Sequence, residues 1–339
     1  MKSLIIHGGT GDSNILVGES LQNLQKYIAS EQVVIITDSN VRRLYEQDFP
    51  PCEIIEIGMG DKIKNLETVK TIYGKLLELE MDRSSFIVGI GGGVVCDIAG
   101  FAASTYLRGV RFGFVSSTLL SQVDASVGGK NGVNFEGYKN MVGVFNQPEF
   151  VICDMNLLKT LPEKEVLCGL AEVVKHAAIG DANLFSYLEK HYNRVLQLDE
   201  EVIEKIVYDS VLIKSSIVNR DEKEKGERRK LNFGHTLGHA LEKTTGAPHG
   251  EAVSAGMVAA SALSEKKGYL SREEKERIEA LLKKFQLPTR VQFNGKRLLD
   301  AVRKDKKREG EEINFVLLQG IGNAVVGKIT MTELAAVAV

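Results

Sequence analysis

The first 155 residues alternate between short apolar runs and segments with helical periodicity, and this alternation constrains the fold more than any other feature. The apolar runs are LIIHGG (4–9), VVIITD (33–38), EIIEIG (53–58), SFIVGIGG (85–92), GFVSST (113–118) and FVICD (150–154). Between them lie helical patterns such as Glu67 to Met81. Continuous apolar strands bounded by Gly or Asp predict a parallel sheet covered on both faces. Sheets of that kind bind nucleotides at the carboxyl ends of their strands. After Leu161-Pro162 the texture changes, and helical periodicity runs from Glu163 to about Phe285. Gly246-Ala247-Pro248 breaks one helix, Gly268 and Pro288 punctuate others, and INFVLL (313–318) reads as a late strand or hairpin. A chain of 339 residues is long for one small domain. We therefore expect an α/β domain over 1–155, with a Rossmann-like parallel sheet, and a mainly helical domain over 156–339, all-α in class.

Composition removes several function classes. The net charge of −2 gives no electrostatic footprint for nucleic acid or an anionic membrane. Cys52, Cys96, Cys153 and Cys168 lie far apart and form no C-x-x-C pair, which argues against a disulfide framework or a cysteine zinc site and fits a reducing cytosol. The start, MKSLIIHGGTGD, is too short in apolar residues for a signal peptide. No apolar run approaches the roughly 20 residues that span a bilayer. A soluble cytoplasmic protein without nucleic-acid or membrane partners is expected.

Five stretches could carry chemistry. GIGGGVVCD (89–97) follows an apolar strand and opens a helix, where glycines admit a ligand to the backbone and a helix N-terminus favours phosphate. The strict G-x-G-x-x-G pattern fails at Cys96, so a ligand-free strand–helix turn is equally open. In TDSN (37–40), Asp38 could meet a ribose hydroxyl or simply cap a helix. DASVGGKNGVNFEGYKN (124–140) reads as a long loop in which Lys130 and Lys139 could hold an anion or merely be solvated. In GLAEVVKHAAIG (169–180), Glu172 shares a helix face with Lys175 and His176, and charges in such apolar surroundings need partners.

The fifth stretch is LNFGHTLGHALEKTTGAPHG (231–250), which holds three of the six histidines. His235 and His239 stand at i, i+4, the spacing of H-E-x-x-H zinc sites. Thr236 occupies the place of the protease's general base, which disfavours a metalloprotease. His249 follows the Gly-Ala-Pro break and can fold back. Three imidazoles, or two with Glu172, would leave the open position that catalytic zinc keeps. Lys214, Arg228 and Asn232 precede the histidines, and Lys306 and Lys307 lie in DKKREG (305–310). A metal beside a nicotinamide points to alcohol oxidation, and the added cations point to an anionic substrate.

These motifs, in this order and over nearly the whole chain, resemble the 3-dehydroquinate synthase family of sugar-phosphate cyclases. The resemblance rests on TDSN, GIGGGVVCDIAGF, STYLRGV, QVDASVGGKNG, KNMVGVFNQP, LPEKEVLCGLAEVVKH, NRDEKEKGERRKLNFGHTLGHALE, PHGEAV and DKKREG. It implies a dehydroquinate synthase-like fold. Glu172, His235 and His249 would ligate a divalent metal, zinc or cobalt, and His239 would be a polar active-site group. NAD would be held by Asp38, Asn40, Asp61, Lys64, Gly92, Gly93, Val94, Asp97, Ser117, Thr118, Lys139, Leu157 and Thr160. The sugar-phosphate substrate would meet Asp124, Lys130, Lys139, Asn140, Lys175, Lys214, Arg228, Asn232, His239 and Lys306. Arg108 would reach a neighbouring subunit's site in a homodimer. The implied reaction, a step of the shikimate route to aromatic amino acids, converts 3-deoxy-D-arabino-heptulosonate 7-phosphate to 3-dehydroquinate and phosphate. NAD takes a hydride and returns it, with phosphate β-elimination and ring closure between, so the enzyme is a lyase.

The chain departs from the family pattern in three places. The usual N-H-P-x-G-K-N is Asn134-Phe135-Glu136-Gly137-Tyr138-Lys139-Asn140, the glycine before Asp97 is Cys96, and a threonine pair is Ser117-Thr118. Three other readings compete: a cyclase for sedoheptulose 7-phosphate or glucose 6-phosphate, a metal- and NAD-dependent polyol dehydrogenase, and a non-catalytic nucleotide-binding protein. Arg228, Asn232 and His239 match the set suited to a carboxylated substrate.

Overall fold

A computed structural model of the chain describes residues 1–291, 297, 302, 308–309 and 312–337. It divides into two compact units, Met1–Leu161 and Pro162–Val339.

The first unit is built on a seven-stranded sheet. Its strands are β1 (Lys2–Gly8), β2 (Gly11–Val17), β3 (Val33–Asp38), β4 (Glu53–Ile57), β5 (Phe86–Gly91), β6 (Arg111–Ser116) and β9 (Phe150–Cys153), in the order β1-β2-β9-β6-β5-β3-β4. Only the edge pair β1/β2 is antiparallel; the other pairings are parallel. All six residues of β5 are buried, as burial on both faces requires. Phe86, Val88, Ile90, Val115, Phe150 and Ile152 share one core, and each such side chain contributes about 1.5–3 kcal/mol relative to exposure. Three α-helices belong to this unit: α1 (Ser39–Tyr45), α2 (Leu66–Glu78) and α3 (Gly93–Thr105). In α2, Val69, Ile72 and Leu76 are buried at helical spacing, and the Asn65 side chain caps the helix by accepting from Thr68 N.

The stretch 124–140 is not a long loop. It continues a π-type turn (Ser121–Ala125) into the antiparallel hairpin β7 (Lys130–Phe135) and β8 (Tyr138–Phe145). Glycine, asparagine and lysine conceal the strand alternation there. What makes the hairpin is its turn: Glu136 and Gly137 have φ of 49° and 76°, the left-handed pair that a two-residue hairpin demands.

The second unit is mainly helical: α4 (Glu163–Gly180), α5 (Ala182–Leu196), α6 (Glu200–Arg220), α7 (His235–Thr245), α8 (His249–Lys266), α9 (Arg272–Lys284) and α10 (Met331–Ala335). It is not wholly so. INFVLL lies in β11 (Glu312–Leu318), which pairs antiparallel with β10 (Arg308–Glu309) and β12 (Ala324–Thr330). This small sheet is fastened to α8 by Leu318 N donating to Ser264 Oγ at 3.0 Å. Among the described residues no helix is long and apolar enough to cross a membrane.

Candidate active site

In the first unit, the sequence-predicted nucleotide residues cluster where parallel strands end. Asp38 closes β3, Asp61 and Lys64 follow β4, Gly92 follows β5, Ser117 and Thr118 follow β6, and Leu157 and Thr160 follow β9. Asp38 Oδ1 caps α1, accepting from Asn40 N at 2.9 Å and Val41 N at 3.0 Å. Gly92 stands at the N-cap of α3 with no side chain to cap it, so the first-turn amides of Gly93 and Val94 are presented as an anion site presents them. A Cβ on Gly93 would come within 2.8 Å of Ala125 Cβ, so close packing itself demands glycine there. Cys96 is accepted in place of a third glycine because it points inward, fully buried, with Sγ 3.7 Å from Gly91 O. Tyr45 Oη and Thr160 Oγ1 are 2.5 Å apart, which ties α1 to the turn after β9.

Lys64 is buried, and a buried ammonium needs partners. Its Nζ lies 2.5 Å from Asp97 Oδ2 and donates to Asn140 Oδ1 at 2.5 Å. Lys130, Lys139 and Asn140 are exposed on the hairpin, and Asp124 is half-buried in the turn before it. Arg108 is exposed on a strained turn in which Leu107, Arg108 and Gly109 have φ of 49°, 69° and 119°.

In the second unit, the chain break after α7 decides the site. Gly246, at φ 74°, ends α7, and Pro248 leads directly into α8. A Cβ on Gly250 would meet Cys168 Cα at 2.5 Å, so α8 begins against α4 one turn before Glu172. His249 is thereby returned to the histidine at the head of α7. His235 Nε2 and His249 Nε2 each lie 3.4 Å from Glu172 Oε1. The ligand atoms of Glu172, His235 and His249 all fall within 4.8 Å of one another. His239 lies one turn further along α7 and is exposed, its ring 5.2 Å from that of His235. The structure thus brings Glu172, His235 and His249 together, with His239 beside them.

Both ligand-type histidines are oriented by their other nitrogen. His235 Nδ1 donates to Phe233 O at 3.2 Å, and His249 Nδ1 donates to Glu242 Oε1 at 2.5 Å. Each Nε2 is therefore turned to Glu172, as outer partners turn metal-binding imidazoles. Burial pushes the His235 pKa well below its ordinary value. Burial also lowers that of His249, but hydrogen bonds to Glu172 and Glu242 outweigh it and raise the pKa to about 10. Lys175 Nζ contacts Glu172 Oε2, and both side chains are buried.

Lys214 and Arg228 are buried cations as well. Arg228 Nη1 donates to Glu222 O at 2.5 Å, and Asn232 Nδ2 donates to Glu224 Oε1 at 2.6 Å. Lys306 lies outside the described residues. Sequence reasoning missed Asn134, Glu224 and Glu242. Glu242 falls at i+7 from His235 on α7, a spacing that could have placed it on the histidine face.

The chain also matches known proteins over almost its whole length. The family model described as 3-dehydroquinate synthase N-terminal matches residues 54–168, and that described as 3-dehydroquinate synthase C-terminal matches residues 169–308. A 3-dehydroquinate synthase of Alkaliphilus metalliredigens is 41% identical over 99% of this chain and 98% of its own length. Among solved structures, 2-deoxy-scyllo-inosose synthase complexed with carbaglucose-6-phosphate, NAD+ and Co2+ superposes with a TM-score of 0.89 at 25% identity, covering 99% of each chain. The 2-epi-5-epi-valiolone synthase from Streptomyces hygroscopicus subsp. jinggangensis 5008, with NAD+ and Zn2+ bound, gives a TM-score of 0.89 at 26% identity, covering 99% of this chain and 98% of its own. The chain belongs to the 3-dehydroquinate synthase family.

Proposed function

We propose that this chain is the lyase that converts 3-deoxy-D-arabino-heptulosonate 7-phosphate to 3-dehydroquinate and phosphate, with NAD and a divalent metal as cofactors. The observation that carries the reading is the convergence of His235 Nε2 and His249 Nε2 on Glu172 Oε1, at 3.4 Å each. Two donors about 2.0–2.1 Å from a tetrahedral zinc stand about 3.3 Å apart, so the spacing fits such an ion. Two imidazoles and a carboxylate also suit cobalt. When bound, the metal supplies Lewis acidity to substrate hydroxyls, and NAD supplies a hydride acceptor that returns the hydride.

The protein's residues bind and orient around those groups. Glu172, His235 and His249 hold the metal. Asp38, Asn40, Asp61, Lys64, Gly92, Gly93, Val94, Asp97, Ser117, Thr118, Lys139, Leu157 and Thr160 hold NAD, the α3 N-terminus taking its pyrophosphate. Lys175 sits against Glu172 and keeps a positive charge beside the substrate oxygens. Lys130, Lys139, Asn140, Lys214, Arg228, Asn232 and Lys306 bind the substrate's anionic and hydroxyl groups. Buried Lys214 and Arg228 are desolvated before substrate arrives, which strengthens their pull on a carboxylate or phosphate. Asp124 and exposed His239 can hold and move protons. The elimination breaks a carbon–oxygen bond, and these cations offset the charge that phosphate carries away. Arg108, projected from its strained turn, reaches the partner's site in a homodimer working in the cytoplasm.

The solved structures above are named as synthases of other products, but this chain is only 25–26% identical to them, against 41% for the 3-dehydroquinate synthase of A. metalliredigens. The test is phosphate release from 3-deoxy-D-arabino-heptulosonate 7-phosphate, sedoheptulose 7-phosphate and glucose 6-phosphate, each with NAD and zinc. Release from the first alone is expected. Faster release from either of the others would reassign the substrate.

A further inference from the structure

The hairpin that carries Lys139 and Asn140 is irregular where those residues sit. Lys130 to Val133 pair in register with Phe145 to Val142, and Phe135 pairs with Tyr138. Between those blocks β7 has one residue, Asn134, whereas β8 has three: Lys139, Asn140 and Met141. The two residues read as ligand contacts therefore lie in a bulge opposite Asn134. Bulges re-aim side chains and give up ladder hydrogen bonds, so something must hold them. Here the backbone also bears strain, since Asn140 has φ 51°.

Asn134 supplies the hold. Its Oδ1 accepts from Asn140 N at 2.9 Å, and its Nδ2 donates to Asp61 Oδ2 at 3.1 Å. Its backbone N donates to Lys64 O at 2.8 Å. The amide fits only one way round, because the reverse would set its oxygen against a carboxylate and its NH2 against an N–H. Asn140 Oδ1 in turn accepts from Lys64 Nζ, which pairs with Asp97. One side chain thus fastens the bulge to the turn after β4 and, through Lys64, to α3.

We propose that Asn134 is a positioning residue. It fixes the bulge that aims Lys139 and Asn140 and couples it to Asp61, so that one loop presents the nucleotide and sugar-phosphate contacts as a unit. The inference rests on the reading above that Asp61, Lys64, Lys139 and Asn140 are ligand contacts. Residue chemistry makes the role specific. Alanine makes neither bond. Aspartate still accepts from Asn140 N but sets a second carboxylate against Asp61.

The experiment uses the full chain loaded with zinc. NAD affinity is measured by calorimetry, and KM and kcat by phosphate release from 3-deoxy-D-arabino-heptulosonate 7-phosphate. Loss of two hydrogen bonds in Asn134→Ala raises both the NAD Kd and the sugar-phosphate KM about tenfold. Saturating ligand re-forms the bulge, so kcat changes by less than about threefold. Asn134→Asp is the more impaired of the two. In an Asp61→Asn background its penalty on NAD affinity shrinks at least about fivefold, because an amide then faces the new carboxylate. A general loss of folding stability would not produce that coupling. Asn134→Ala with parental Kd and KM, or Asn134→Asp penalties identical in both backgrounds, overturns the inference. Lys64→Ala and Lys139→Ala separate the two levels. If they lose ligand affinity while Asn134 variants do not, the positioning role fails and the site reading stands. If they bind NAD and sugar phosphate like the parent, the site reading fails and takes the inference with it.

Discussion

Gly256→Ala should damage the proposed metal site without touching it. A Cβ on Gly256 would lie 2.0 Å from Gly234 O, where ordinary contact begins at 3.4 Å. Gly234 O is backbone, so α8 must recede from the head of α7 by about 1.4 Å to accept the methyl group. His235 is the residue after Gly234, and His249 is the first of α8, so the two imidazoles are carried apart. Metal–ligand distances tolerate only about 0.2 Å. The overpacking costs about 1–3 kcal/mol in stability, and zinc affinity falls by at least about a hundredfold as one of three ligands is lost. Gly74→Ala is the control. It lies exposed inside α2 with nothing within 4 Å of an added Cβ, so it should stabilise the chain by about 0.5–1 kcal/mol. Thermal unfolding with and without zinc, together with competition against a fluorescent chelator, measures both quantities. A Gly256→Ala protein with parental melting temperature and zinc affinity would refute the argument from helix packing.

Two other perturbations probe the same centre by different physics. Glu242→Ala removes the acceptor of His249 Nδ1. It should lower zinc affinity by about 10–100-fold without altering the circular dichroism spectrum, and unchanged affinity would show that the carboxylate does not orient the ligand. Lys175→Met removes the cation against Glu172. The metal-free protein should lose about 3 kcal/mol, as when one partner of a buried pair is deleted. Saturating zinc should recover most of it by holding the same carboxylate, and an equal loss with and without zinc would deny Glu172 a place among the ligands.

How much of this was legible in the sequence follows from where each signal is stored. The parallel strands were readable because burial on both faces writes a continuous apolar run, as in the wholly buried β5. The β7/β8 hairpin was not, because its strands are glycine- and asparagine-rich and its turn uses Glu136 in a left-handed conformation. β12 was hidden likewise, since AVVGKIT is interrupted by glycine and only partly buried. At the site, histidine density flagged the metal region, but H-x-x-x-H spacing alone favours His239. What brings His249 to Glu172 and His235 is the Gly246–Pro248 break and the contact of Gly250 with Cys168. Asn134 gave no signal and Glu242 only its helical spacing from His235, because their roles arise from partners six and seven residues away, which meet only through a bulge and a helix break.

In the proposed reaction this chain uses NAD as a catalyst and not as a substrate. The most direct measurement follows phosphate release and nicotinamide absorbance in one cuvette, with zinc-loaded protein, 3-deoxy-D-arabino-heptulosonate 7-phosphate in large excess and NAD limiting. Many phosphates released per NAD, with no NADH accumulating, are expected. NADH formed in step with substrate consumed, with phosphate retained, would contradict it and make the protein a dehydrogenase.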